Sequence, residues 1–407
     1  MLINKVNKKI VLISTGQPST NPRMVKEANA LHAAGFIVTV LYCFFIEWAQ
    51  TADKKLLNKV QWEYQMIGGS PQSNKTIYFL TRLRFKIANL LNRYVGNSLL
   101  FAERAQARCY DELIKTAKTL KADWYIGHNL GALSVAVKAA QFNHAKAGFD
   151  FEDYHRGENL NTTSYNYNRI VYLEKKYLLS LDYLSAASPL IKEKINHNFP
   201  LLNTEIITIL NCFSLVQQPG FREKKGDKIL HLFWFSQTIS SQRGLETIIE
   251  SLRLLNNPDI HLTLAGRLSD NFKAYIENIE DKIKKQIHMA GIIPPDDLPS
   301  FASQFDIGLA VELDMPQNRD VCLTNKIFTY LLAGNAIILS ETAMQKKFND
   351  EFHIGESFIV EDSVTLSKQI QAYFNKDKLE KQRARNYKLA LEIFNWENES
   401  RKFLNKL

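Results

Sequence analysis

The sequence predicts an α/β protein built as two consecutive Rossmann-like domains, each a doubly wound parallel sheet. Three observations carry this. Short β-branched apolar runs alternate with amphipathic helical stretches along most of the chain. The alternation breaks over residues 211–228, where Gln217-Gln218-Pro219-Gly220 and a charged run intervene, and then restarts. At 407 residues the chain exceeds one ordinary core and suits two.

The elements follow in order. Lys9–Ser14 (KIVLIS) reads as a buried strand, followed by the loop Thr15-Gly16-Gln17-Pro18-Ser19-Thr20. Asn21 then caps a helix with Pro22 in its first turn and Gly35 past its end. Residues 36–42 form the next strand. Residues 123–127 are a strand, and the turn His128-Asn129-Leu130-Gly131 leads into a helix ending near Phe142. Strands follow at 147–151 and 183–187, a helix starts at Ser188-Pro189, and 206–210 closes the first half. The second half opens with a strand at 229–235. Leu245–Leu255 is a helix with Leu245, Ile248, Ile249, Leu252 and Leu255 on one stripe. Residues 260–265 form a strand ending in Gly266-Arg267, and 307–311 another. Asn325–Ala333 is a helix stopped by Gly334, and Ala336–Ser340 is a strand. The domains predicted are 1–212 and 226–390, with a last segment at 391–407. Ligands of open α/β sheets sit beyond the carboxyl ends of the strands, so the loops there should line a cleft facing both halves.

Composition narrows the partners. Apolar residues make up 45% and charged residues 23%, which excludes disordered and fibrous classes. Lys plus Arg number 51 against 42 Asp plus Glu, and a surplus of +9 favours an anionic partner. The longest apolar run, near 36–46, falls short of the about 20 residues that span a bilayer. The N-terminus runs into a strand without secretory signal anatomy. Cys43, Cys109, Cys212 and Cys322 lie far apart with no CxxC pair, so no zinc site and a reduced, cytoplasmic setting are expected. Segment 75–108 holds seven cations (Lys75, Arg82, Arg84, Lys86, Arg93, Arg104, Arg108) and one acid, Glu103, interleaved with apolar side chains. The pattern predicts an amphipathic helix whose apolar stripe packs on the first sheet and whose basic face meets an anionic membrane. The aromatic spacing is that of a stripe and no nucleic-acid motif is present, so nucleic acid is not an expected partner.

Several residues carry chemistry, each against a plainer alternative. Arg243 and Gly244 stand at a helix start, where cation and dipole favour an anion; the alternative is a solvated arginine. Lys326 can meet a phosphate or sugar hydroxyl, or simply cover the stripe of its helix. His128 follows a strand and can hydrogen-bond a ligand, or cap the next helix. Asp150, Glu152, Asp153 and His155 form an acid–histidine set that can orient an acceptor hydroxyl, or a solvated turn; strand alternation puts Asp150 and Glu152 on one side. Glu312 and Asp314 resemble a metal-binding acid pair only loosely; the alternative is a polar loop mouth. Gly16 allows close backbone approach and Arg23 can reach an acceptor phosphate; the alternatives are an ordinary turn and an exposed helix residue.

Taken together, these motifs resemble the GT-B-fold glycosyltransferases, most of all the retaining family 4 type, over nearly the whole chain. The resemblance rests on Asn21-Pro22-Arg23 through Gly35, on His128 in WYIGHN, on Asp150-Phe151-Glu152-Asp153-Tyr154-His155 and on residues 173–188. In the second half it rests on 233–249, Leu264-Ala265-Gly266-Arg267, Ala290-Gly291-Ile292-Ile293, 325–334 and the tail from Phe394. It implies a tail that crosses back to the first domain and transfer of a sugar from a nucleotide-diphosphate donor to a cell-surface glycan or lipid-linked acceptor, with retention and no cofactor or metal. The implied catalytic residues are His128, Glu152, Asp153 and Glu312. The implied donor contacts are Gln237, Arg243, Gly244, Gly266, Arg267, Ile292, Asn325, Lys326 and Thr329. The implied acceptor contacts are Gly16, Arg23 and His155. Polysaccharide or lipopolysaccharide synthesis at the inner face of the plasma membrane would be the setting. The pattern also departs from the family: Gln237 stands for a phosphate-loop arginine, and Thr329 and Val321 for two glutamates. Two other readings therefore stay open, a nucleotide-sugar epimerase of the same shape and a non-catalytic glycosyltransferase-like binding subunit.

Overall fold

The computed structural model describes residues 7–223 and 228–407. The chain divides into two compact units. One comprises the residues up to Ile209 together with Ser400–Leu407, the other Leu210–Glu399.

The first unit is built on a seven-stranded sheet: β1 (Lys9–Ser14), β2 (Ile37–Cys43), β3 (Glu63–Ile67), β4 (Trp124–His128), β5 (Lys146–Phe151), β6 (Tyr183–Ala186) and β7 (Ile206–Thr208). The strand order is β3-β2-β1-β4-β5-β6-β7 and every pair is parallel. Helices cover both faces of such a sheet, which is why β1 and β4 are apolar without alternation. The order reverses between β1 and β4, where Ser14 pairs with His128. In open α/β sheets a ligand binds at such a switch point. Helix Pro22–Ala33 starts as its sequence dictates: Asn21 Oδ1 accepts the Met24 amide at 2.9 Å, and Gly35 follows the end at φ +91°.

The basic helix Lys75–Val95 departs from expectation. It packs through Tyr78, Thr81, Ala88 and Asn92, while Phe79, Leu80, Leu83, Ile87, Leu90 and Tyr94 stand 48–73% exposed. The apolar stripe thus faces outward. The reason lies in Arg108, which fills the inner side: it donates to the Gly68 carbonyl (2.9 Å), the Phe44 carbonyl (3.1 Å) and Thr81 Oγ1 (2.5 Å), and lies 5.0 Å from the Tyr78 ring. A polar, aromatic seam satisfies that guanidinium where leucines would leave it unpaired. Arg84 and Arg104 are likewise committed, to Asp111 and Glu112.

The second unit repeats the plan with β8 (Leu230–Ile239), β9 (Ile260–Leu268), β10 (Ile287–Gly291), β11 (Ile307–Ala310), β12 (Ala336–Ser340) and β13 (Gly355–Phe358). The order β10-β9-β8-β11-β12-β13 is again parallel throughout, with its switch point between β8 and β11. Strands β8 and β9 run past their expected ends. After a bulge, pairing resumes at Thr238↔Arg267 and Ile239↔Leu268. Gln237, Gly266 and Arg267 consequently lie in this extension and not in loops. Helix Asn325–Ala333 is clamped onto the sheet: the Tyr330 hydroxyl points at the Phe233 and Leu309 carbonyls (3.1 and 3.3 Å). Gly308 makes room for it, since a Cβ there would sit 2.2 Å from the Tyr330 ring.

Residues 211–223 read as a linker but pack as part of the second unit. Phe221 packs against Tyr387 at 5.2 Å between ring centroids, and Gln218 donates to the Tyr387 carbonyl at 3.3 Å. An apolar ring in that stretch has a partner to bury against, which outweighs the Pro-Gly signal. Gly226 and Asp227 lie outside the described residues. In the tail, the Trp396 amide donates to the Phe213 carbonyl (2.8 Å) within the second unit. Lys8 Nζ donates to the Leu407 carbonyl (3.0 Å) within the first. Among the described residues no helix is long and apolar enough to cross a membrane.

Candidate functional site

Beyond β1 and β4 the backbone is braced by side chains. Asn129, at φ +65°, accepts from the Thr15 hydroxyl (2.6 Å) and donates to Ser14 Oγ (3.1 Å). Gln17 is buried; it donates to Asp53 (2.6 Å) and accepts the Phe45 and Ile46 amides (3.0 and 2.7 Å). These clamps fix the loop. Gly16 is not forced to be glycine, since its backbone is ordinary and a Cβ would meet Thr20 Oγ1 at 3.4 Å. Sequence reasoning passed over Gln17 and Asn129.

Behind this loop lies a buried charge cluster. Arg23 donates from Nε and Nη2 to the two Asp150 oxygens (2.6 and 2.8 Å) and from Nη1 to the Ile209 carbonyl (2.8 Å). Ser185 adds a hydroxyl to Asp150 at 2.5 Å. Burial alone would raise the Asp150 pKa, but the Arg23 charge and bond outweigh it and hold it below the usual carboxylate range. Arg23 is only 2% exposed, with each of its three nitrogens already donating within the cluster, so it does not reach an acceptor phosphate as the sequence suggested. His128 lies between Glu27 (Nε2, 3.1 Å) and Asp150 (Nδ1, 3.6 Å), close to both but aligned as a hydrogen bond to neither. It is 1% exposed, so direct sugar contact by its ring is not what this position offers. Burial pushes its pKa down; Glu27 and Asp150 push it further up, and the net shift is upward.

That sign has a consequence. A histidine whose folded pKa is raised stabilises the fold fully below its unfolded pKa, about 6.5, and the contribution is lost as pH rises through the folded value. The melting temperature is expected to fall as pH is raised upward from about 6.5, and His128→Gln to flatten that slope. A slope equal in both proteins, followed by calorimetry, would refute the assignment.

Glu152 stands apart. β5 ends at Phe151, so strand alternation no longer aligns Glu152 with Asp150. It is half-buried, engages in no hydrogen bond among the described residues, and has its pKa pushed up to about 7 by burial and then by Asp153. A carboxyl poised near neutrality at a strand's carboxyl end is suited to exchange a proton with a hydroxyl. Asp153 is half-buried beside it. His155 is tied to Glu158 through Nδ1 (3.1 Å) and packed against Phe149 and Phe151. It is 7% exposed, with Nδ1 committed to Glu158.

In the second unit the loop after β8 ends at Gly244, at φ +76°, where a Cβ would lie 2.4 Å from Val311. The loop therefore seats against the end of β11, as only glycine permits. Helix Leu245–Leu255 begins there with no side-chain cap, and its first amides have no acceptor among the described residues. Next to it, Lys326 Nζ donates to Glu312 Oε1 at 2.5 Å, both side chains buried, with Nζ 5.2 Å from the Trp234 ring. Ser340 Oγ accepts the Glu312 amide (2.9 Å) and donates to its carbonyl (2.8 Å), fixing the strand end. A buried ion pair is weak as a stabiliser, so its place at a switch point is better explained by chemistry.

Arg243, Gly244, Glu312 and Lys326 thus come together at the carboxyl ends of β8 and β11. The other predicted donor contacts fare differently. Asn325 is exposed at the same helix start and accepts from Asn211 (2.8 Å). Thr329 is fully buried and donates to the Asn325 carbonyl (3.0 Å), which takes it out of ribose contact. Gln237 and Arg267 are exposed on the β8–β9 extension with Gly266 beside them, and Ile292 is 68% exposed after the edge strand β10. Asp314 is exposed.

Residues 242–405 match the protein-family model described as glycosyl transferase-like. No curated protein matches the sequence. Among solved structures, HepE from Anabaena in complex with UDP and glucose superposes with a TM-score of 0.68 at 14% identity, covering 98% of both chains. A glycosyltransferase from Rickettsia africae gives 0.69 at 13% identity, covering 98% of this chain and 97% of that one. Sucrose-phosphate synthase from Thermosynechococcus elongatus gives 0.69 at 13%, covering 98% of each. At this identity the likeness is one of fold.

Proposed function

We propose that this chain, which has the GT-B glycosyltransferase fold and a glycosyl transferase-like sequence through its second unit, moves a sugar from a nucleotide diphosphate to a glycan or lipid-linked acceptor with retention. The observation that carries this is the cluster at β8 and β11: Arg243, Lys326 and uncapped helix amides converge where a ligand of this fold sits. Negative charge grows on the departing diphosphate in the transition state, and preorganised cations and N–H groups stabilise it there. HepE crystal structures holding UDP and UDP-glucose support this choice of ligand. Glu312, with one oxygen held by Lys326, takes sugar hydroxyls. Glu152, in the first unit, holds the acceptor hydroxyl, with the charge cluster around His128 fixing the loops behind it. Mass analysis after incubation with a panel of nucleotide sugars, with and without acceptor, tests the reading. Transfer only with acceptor is expected; conversion of the donor without acceptor would mark an epimerase, and no turnover with any donor would contradict the proposal.

The acceptor side includes a membrane. Helix Lys75–Val95 carries Lys75, Arg82, Arg84, Lys86 and Arg93 and no acid, and turns its apolar stripe to solvent. Exposed Leu, Ile, Phe and Tyr flanked by cations suit an anionic lipid surface, where apolar burial and charge attraction add. Binding to vesicles containing phosphatidylglycerol, but not to phosphatidylcholine alone, is expected in flotation. Leu83→Asp with Ile87→Asp should abolish it. Equal flotation of the variant, or none for the parent protein, would contradict this contact.

A further inference from the structure

The fold brings an unforeseen cation to the loop that ends at Gly244. Arg319, on the short helix Gln317–Val321 after β11, donates from Nη1 to the Gln242 carbonyl at 2.9 Å. That carbonyl belongs to the peptide leading into Arg243. Both arginines are half-buried, and neither forms an ion pair among the described residues. The acids near them are occupied. Glu312 is bound to Lys326 (2.5 Å), and Asp320 accepts the Ala343 amide (2.7 Å).

Three cations, Arg243, Arg319 and Lys326, therefore share two carboxylates that are both already engaged. Arginine cannot shed its proton to relieve the crowding. Burial, and next to it the Arg243 charge, press the Arg319 pKa below its ordinary value. Like charges held together out of water are costly until an anion sits between them. One of five guanidinium N–H groups anchors Arg319 to the loop, leaving others for an oxyanion. The amides that open helix Leu245–Leu255 complete the same surface.

We propose that Arg319 is a second phosphate-binding residue, holding the donor's diphosphate jointly with Arg243. This rests on the nucleotide-sugar reading above. The test is calorimetric binding of UDP, GDP, ADP, CDP and dTDP to the full chain and to Arg319→Gln, with melting temperatures of the ligand-free proteins. For the best-binding diphosphate, the variant is expected to bind at least tenfold more weakly while melting within about one degree of the parent. Binding within twofold of the parent would overturn the role of Arg319 and leave the nucleotide-sugar reading standing. Failure of the parent to bind any of the five would overturn both. Should Arg319→Gln melt early, Arg319→Lys is read instead: lysine keeps the charge but not the planar fork. A loss of threefold or more then supports the role, and parental affinity overturns it.

Discussion

Arg243→Ala is expected to lower kcat/KM for sugar transfer by about 10²–10³-fold, or about 2.7–4 kcal/mol, the usual cost of removing one preorganised donor from a developing anion. Arg243 adjoins Gly244, whose contact with Val311 sets the loop's place, so the guanidinium is aimed by backbone and not by a flexible surface. The loss should fall mainly in kcat, because charge on the diphosphate oxygens is greatest as the bond to the sugar breaks. Steady-state kinetics with the preferred donor checks it. Parental kcat/KM in the variant would remove Arg243 from the reaction. The substitution should leave stability nearly untouched, since the side chain is half-buried and outside the core.

Arg23→Met should do the reverse, costing about 3–5 kcal/mol of stability, because it strands a buried carboxylate. Asp150 is 1% exposed and, among the described residues, would keep Ser185 and the nearby His128. For a unit of this size each kcal/mol moves the melting temperature by roughly 2–4 °C, so a drop of about 6–20 °C is expected by calorimetry. Adding Asp150→Leu should recover part of the loss, since removing both charges leaves none unpaired. A shift below about 2 °C in the single variant would show that Arg23 and Asp150 are not the buried pair described.

How much of this was legible in the sequence depends on whether the deciding contact was local. Helix Pro22–Ala33 was legible because Asn21, Pro22 and Gly35 act within a few residues, and helix Asn325–Ala333 because Gly334 ends it with φ +72°. The parallel sheets followed from apolar runs and helical spacers. Strands β3 and β13 escaped: Glu63–Ile67 is an edge strand with three exposed residues of five, and Gly355–Phe358 is four residues long. Neither has the continuous apolar run that marks a central strand. Periodicity revealed a stripe on Lys75–Val95 but not its direction, because the inner side is set by Arg108, which approaches from outside the helix. The site divides the same way. Arg243 and Lys326 could be read from helix starts. Arg23 with Asp150, and Arg319 with Gln242, are pairs that only the folded chain brings together. Burial of Thr329 and His155 was equally invisible, since a polar side chain in an apolar helix or turn carries no mark of which way it faces.

The central claim is that the carboxyl ends of β8 and β11 bind a nucleotide diphosphate. It is tested most directly by thermal unfolding of the whole chain with UDP, GDP, ADP, CDP and dTDP, alongside Arg243→Ala. A ligand that binds only the native state must raise its stability, by about 2.7 kcal/mol at a hundred times Kd. The account predicts a saturable rise in melting temperature with at least one of the five, much reduced in Arg243→Ala. No shift with any of them, or a shift undiminished in the variant, would contradict it.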